Sequence, residues 1–464
     1  MRLSLNQLSI VHASVIVAPP QFIYLLITSY LSSHSAYVSQ YFSISQELIQ
    51  ITDKISLCFL AAIAAVSCDF HAHFGMQRCY LGCAVLMELA LLLTLAIPNR
   101  FSFILFRVSS SFWYGILTPA TSSMTNQIVV EGGFSLSVTI TTSFTILAGG
   151  LGGIITQKSI IIIIVFNIFG LIQLCYAFVV CPLPSPVESK KVIAWSLITL
   201  GFISVFSLCL GCVGSVIYQQ YWISLILVFS GIGGYFLMFS VNYFVNDKFM
   251  FNECYNFNTI CFQYGWLVID CFIFPLVAII KKEDNLMEIT KISLFVLYLT
   301  FYFIIKNVTI LEVMKFSCYL EVLFLVIFII LLAVNQESSN IAIPFYILQQ
   351  QQYLAIAIYN TVGTPPPYGP YSSAFVSSQN KLAAVISEGI LQIPVSYRYY
   401  ICLGGIIFGF LIISQIGVFG WEEGKLFFSW KKARKMKTYE ILKDQQNGPY
   451  QQVIAPQMVI EVAQ

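Results

Sequence analysis

Apolar stretches about twenty residues long follow one another along nearly the whole chain, each parted from the next by a few polar residues. About 20 mainly apolar residues is what an α-helix needs to cross a bilayer. On that criterion spans fall at 9–31, 51–68, 79–97, 101–125, 134–157 and 159–181, then at 192–214 and 220–245. Six more follow at 259–280, 291–306, 309–334, 340–361, 372–394 and 399–421. The chain is 58% hydrophobic and 9% charged, where a soluble domain carries about 25% charged residues. The expectation is an all-α polytopic membrane protein of about fourteen transmembrane helices.

Pro182, Pro184 and Pro186 stop the sixth span, and a polar break from Asn246 to Asn258 follows the eighth. The expected organisation is a six-helix bundle over 1–181 and a linker with two extra helices over 182–258. A second six-helix bundle over 259–421 and a tail over 422–464 complete it. The first span runs into Pro19-Pro20 with no small-residue cleavage site, so it reads as a retained helix. The stretch 372–394 carries Gln379, Asn380, Lys381, Glu388 and Gln392. A lipid-facing helix would not tolerate that load, so it must look onto protein or a water cavity.

A net charge of +2, with no basic patch interleaved with aromatics, excludes a nucleic-acid partner. The thirteen cysteines sit mostly in apolar runs, where they act as small hydrophobes. Cys209 and Cys212 have metal-ligand spacing but no second ligand pair, and closed zinc sites need four. His71 and His73 read as solvated residues of a polar loop. No metal, no cofactor and no enzyme are expected, since four histidines do not form a catalytic cluster.

Lys and Arg in short loops set the orientation. Fourteen spans put both ends on one side, and Lys431, Lys432, Arg434, Lys435 and Lys437 make that side cytosolic. Arg78, Lys190, Lys191, Lys248 and Lys306 agree; Lys281, Lys282 and Lys291 fall outside and break the rule. The sequon at Asn307-Val308-Thr309 then lies in the cytosol and stays unused.

The sharpest local signals are a turn and an arginine. Asp69 to Arg78, with Gly75, reads as an acidic-Gly-basic turn between the second and third spans. Arg107 lies inside the fourth, and a cation there costs a few kcal/mol unless it is paired or faces water. Further on come Ala148-Gly149-Gly150-Leu151-Gly152-Gly153 and the small, polar run Ser372 to Gln392. In order and spacing these four places resemble the helix 2–3 turn, the helix-4 arginine with Gly115 and Pro119, the helix-5 glycine motif and the penultimate helix of major facilitator transporters. The extra helix pair is similar to the fourteen-span drug:proton antiporter branch, and the fungal aminotriazole-resistance proteins look closest within it. The first turn lacks a leading Gly and is three residues longer than the family's; the helix-5 run lacks its Pro.

The resemblance implies a major facilitator fold: two six-helix bundles, plus the inserted pair, that rock about a site near the bilayer midplane. It implies multidrug efflux by alternating access, with a small organic solute or toxicant and protons as partners. The protein would be a multi-pass monomer in the plasma or vacuolar membrane. A nutrient or siderophore permease of the same fold, and a non-transporting sensor derived from it, remain the other readings. Asp69, Gly75, Arg78, Glu131, Gly149, Gly150, Gly152 and Gly153 are the expected gating and conformational residues. Arg107, Asp270, Glu388, Gln349 and Gln350 are the expected coupling or cavity residues. Asp270 is the first choice for the proton carrier, and Glu88 and Glu321 are the other carboxylates inside spans.

Overall fold

The computed structural model describes residues 10–128, 134–155, 160–181, 195–218, 221–246, 257–277, 286–305, 310–334, 342–349 and 369–415. Among these the chain forms fifteen helices and no strand. In order they are α1 Ile10–Ser33, the short α2 Ser35–Phe42, α3 Gln46–Phe74, α4 Met76–Ala96, α5 Arg100–Ile128, α6 Phe134–Ile154 and α7 Ile160–Val180. Then come α8 Trp195–Tyr218, α9 Tyr221–Asn246, α10 Phe257–Val277, α11 Leu286–Ile305, α12 Ile310–Val334, α13 Ala342–Gln349, α14 Gly369–Ile390 and α15 Val395–Gln415. Each expected span coincides with a helix over its described residues; of the span 340–361 these are 342–349 alone. Five helices are long and apolar enough to cross a membrane over their described residues alone, and six more carry shorter apolar stretches.

Which side faces lipid is legible in α7. Ile163, Asn167, Gly170, Leu174 and Ala177 are buried at three- and four-residue spacing. The opposite face exposes Ile161, Ile162, Val165, Phe166, Phe169, Ile172 and Val179. A continuous row of large apolar groups outward, with Asn167, Gly170 and Ala177 turned inward, reverses the pattern of a soluble helix. In water so continuous an apolar face would be an aggregation site; in acyl chains it costs nothing.

In the first bundle α1 packs along α6, α7 and α5, while α4 packs along α5 and α7, and α3 along α5. Close approach of α1 and α6 depends on Gly152. A Cβ there would lie 2.5 Å from the Leu26 carbonyl oxygen and 2.9 Å from the Tyr30 nitrogen, both backbone. Pro19 and Pro20 lie inside α1. Pro19 has no N–H for the Val15 carbonyl, and inside a bilayer that group needs another donor. Gln173 of α7 supplies it through Nε2.

In the second bundle α10 packs on α14 and α15, and α13 lies against α11 and α12. Two seams join the bundles: α6 with α11, and α14 with α3 and α5. The inserted α8 and α9 pack on each other, and α8 also lies against α3 and α14. Cys58, Ala61 and Ala62 of α3, Val205, Cys209 and Val213 of α8 and Val385 of α14 form that three-helix contact. Cys209 is thus a buried packing residue, and no metal-ligand cluster occurs among the described residues.

The expected polar turn from Asp69 to Arg78 is a correction. The structure continues α3 through Phe74, and Gly75 alone, at φ +84°, separates it from α4. That φ is open to glycine at little cost. His71, expected in water, is 3% exposed and its Nε2 lies 2.8 Å from the Ile116 carbonyl of α5, placed to donate to it. Lys291, expected in a loop, stands within α11, with its Cδ on the side facing Gly149 of α6.

Candidate functional site

α3 begins earlier than hydropathy suggests. Ser45 caps it by accepting from the Leu48 N–H at 3.2 Å, and Glu47 stands in its first turn. Both features favour a helix start. Asp53 and Lys54 are therefore two turns inside the helix, about 10 Å from its end at 1.5 Å per residue. Neighbours on a helix point about 100° apart, and these two serve different partners.

Asp53 turns towards α5. Its Oδ1 receives Arg107 Nε and Nη2, each at 3.1 Å. Arg107 is 3% exposed, and its remaining Nη1 donates to Ser111 Oγ, one turn on, at 3.1 Å. Tyr24 Oη of α1 is 2.9 Å from the same Ser111 oxygen. The Tyr24 ring lies 6.0 Å from the guanidinium and stacks on Tyr114 of α5 at 3.7 Å and 14°. On the far side Lys381 of α14 places its Nζ 5.9 Å from the Tyr114 centroid. A continuous line thus runs from Asp53 through Arg107, Ser111, Tyr24 and Tyr114 to Lys381, crossing from one bundle to the other.

Lys54 turns towards α14. Its Nζ is 3.7 Å from Glu388 Oε2, with the two side chains 19% and 39% exposed. Nearby, Gln21 of α1 donates to Thr121 Oγ1 of α5 and accepts from Thr145 Oγ1 of α6 at 3.3 Å. This fixes three helices of the first bundle behind the arginine. The arrangement can hold charge at membrane depth, and it can transmit a change of charge across the seam.

Arg107 and Glu388 belong to this constellation. Asp270 does not: it is buried in α10, near Tyr298 of α11 and Tyr346 of α13. Glu88 is fully buried beside Gly170 of α7, and neither of its oxygens has a hydrogen-bond partner. Asn167, one turn before Gly170, is in the same position. Glu321 is likewise buried. Gly149 accepts from Ser29 Oγ at 2.7 Å, and Gly150 and Gly153 lie on the same helix. Asp69 is half-buried and Arg78 exposed, on either side of the Gly75 break. Gln349 ends α13; its side chain, Gln350, Glu131, the sequon and the tail beyond 415 lie outside the described residues.

Sequence reasoning missed Asp53, Lys54 and Lys381 as site residues. The signal for the first two was present: Ser45 followed by Glu47 places the helix start before residue 51, which moves both charges from the span's edge to its interior.

No known family model matches the sequence, and no curated protein does so either. Solved structures do match in fold. The human organic anion transporter MFSD10 (TETRAN) superposes with a TM-score of 0.58 at 10% identity, over 88% of this chain and 100% of that one. The proton:xylose symporter XylE bound to 6-bromo-6-deoxy-D-glucose gives 0.59 at 9%, over 90% and 96%. A mutant form of the peptide transporter POT gives 0.54 at 16%, over 88% and 94%. At these identities the likeness shows the fold alone: the chain has the major facilitator fold.

Proposed function

We propose that the protein carries small organic solutes across a membrane by alternating access of its two bundles, coupled to protons and in the direction of efflux. The observation that supports this most is the Asp53–Arg107 pair, buried within the first bundle one residue away from the Lys54–Glu388 contact to the second. A pair kept only for packing would be a poor use of two charges, because desolvation offsets most of their attraction. A carboxylate that trades a guanidinium for a proton is a switch, since an opposite charge and a proton compete for it.

On this reading Asp53 carries the proton and Arg107 competes for it. Asp270, in the second bundle, is the other carboxylate assigned to coupling. Glu388 joins Lys54 in the seam, and Gln349 and Gln350 provide polar contacts to the solute. The glycines of α6 let α1 and α11 slide close to it. Asp69, Gly75 and Arg78 act at the opposite end of α3, with Glu131 as their partner, where the inner face closes. The monomer is the working unit, and the plasma or vacuolar membrane its place.

The test is proton movement in sealed vesicles. The purified chain is reconstituted with an entrapped pH dye and challenged with toxic and nutrient organic compounds. At least one should move protons in a gradient-dependent way, and Arg107→Ala should abolish the signal while inserting normally. No response to any compound, or full activity in Arg107→Ala, overturns the proposal.

A further inference from the structure

The charges on the seam do not balance. On α3, α5 and α14 the ion pairs and the Tyr114 contact involve five ionisable groups: Asp53, Lys54, Arg107, Lys381 and Glu388. Two ion pairs use four of them. Lys381 is the cation left over, and what it faces is the Tyr114 ring. No carboxylate among the described residues lies within ion-pair distance of it. The neighbouring α1, α6 and α8 carry no charged side chain at all. Asp270 of α10 is buried and forms no ion pair with Lys381, and Lys291 of α11 stands by Gly149.

A second observation points the same way. Ser377 lies one turn before Lys381 on α14, which brings the two to one face of the helix. It is 8% exposed, and its hydroxyl has no hydrogen-bond partner. Ser377, Lys381, Val385 and Glu388 form a stripe at helical spacing. Val385 meets α3 and α8, and Glu388 meets Lys54, so the stripe looks onto the first bundle. An ammonium and a hydroxyl, both unsatisfied and four residues apart, are the complement of a group with negative oxygens. The lysine keeps partial access to solvent, while the tyrosines behind it are buried.

We propose that Lys381 and Ser377 form the anion-binding half of the substrate site, and that the transported solute is an organic anion whose charge completes the count on the seam. Tyr114, itself stacked on Tyr24, holds the lysine in place from behind by a cation–π contact. Arg107 is spent on Asp53 and does not serve this group. The inference rests on the transport reading for the word substrate, though binding itself can be measured without it.

Benzoate and 1-naphthoate are compared with their neutral amides and cationic amidines as stabilisers of the purified full chain in thermal melts, with inorganic phosphate as a further arm. The carboxylates should bind about tenfold to a hundredfold more tightly than the amides, the range a charge-assisted hydrogen bond gives. Lys381→Gln should bring carboxylate and amide level, and Lys381→Arg should keep the preference. Equal binding of acid and amide by the natural protein, preference for the amidines, a response to phosphate alone, or a preference that survives Lys381→Gln overturns the proposal. Should Lys381→Gln fail to fold, the charge series on the natural protein decides. The same solutes are then followed into vesicles. Binding without flux removes the transport reading and leaves this site standing; flux with no preference for the anion removes this inference alone.

Discussion

Replacing Asp53 by Asn removes one charge and almost nothing else, so its consequences can be worked out from the geometry. Arg107 Nε and Nη2 both reach the same Oδ1 at 3.1 Å. At an effective dielectric of about 20 that pair is worth about 5 kcal/mol of gross attraction. Breaking a fully buried pair costs about 3–5 kcal/mol. The Asp53 side chain is 24% exposed, and the Asn oxygen still accepts, so the expected loss falls to about 2 kcal/mol. A melt in detergent should show it as a drop of a few degrees. Adding Arg107→Gln should recover part of it, with a coupling of about 1–3 kcal/mol in the double-mutant cycle. Transport separates the roles further. In vesicles Asp53→Asn should lose accumulation driven by a pH gradient but keep exchange of labelled for unlabelled solute, because exchange needs no net proton movement. Gradient-driven accumulation at the natural rate in Asp53→Asn, or a strictly additive cycle, would refute the argument.

The Lys54–Glu388 contact predicts that sign matters less than opposition. Lys54→Glu and Glu388→Lys should each slow transport severalfold, and the double exchange should restore most of it in initial-rate measurements. His71 predicts an acid-sensitive C-terminal end of α3. Burial pushes its imidazole down to about 4, with the Ile116 hydrogen bond working weakly against that. The folded protein therefore refuses a proton that the unfolded chain accepts below about pH 6.5, so stability falls as pH drops from about 6.5 to about 4, by up to about 3 kcal/mol. Melts across that range should show the loss, and His71→Gln, which keeps a donor for Ile116, should flatten it.

The spans were legible because crossing a bilayer depends on local apolarity, which a sequence displays residue by residue. The ends of α3 were not, because Gln46 to Gln50 and Asp69 to Phe74 are polar enough to pass for loop. The helix runs through both, capped by Ser45 at one end and stopped only by Gly75 at the other. Misplacing those ends hid Asp53 and Lys54 and sent His71 into water. Arg107 stood out alone, since a cation in a span needs an explanation wherever it points. Its partner did not, because residues 53 and 107 meet only when α3 packs on α5. Lys381 was visible as polar load on a span; that it faces Tyr114 and lacks a counter-charge is a tertiary fact with no local trace.

The adjacency of Asp53 and Lys54 is what gives the proposed mechanism its mechanical content. One residue reaches back into its own bundle, the other across the seam, and the same helical turn carries both. If Asp53 takes a proton, Arg107 loses the group that holds it and is left with Ser111 and the Tyr24 face, in a region where an unpaired guanidinium is costly. The cheapest relief is for α5 or α3 to shift, and any shift of α3 moves Lys54 against Glu388 on α14. Because a solvated ion pair is worth at most about 1 kcal/mol, that outer contact yields easily, whereas the inner pair does not. A strong switch beside a weak latch on one rigid rod is the order needed for protonation to open the seam, and the reverse order would leave the bundles parting before any proton arrived.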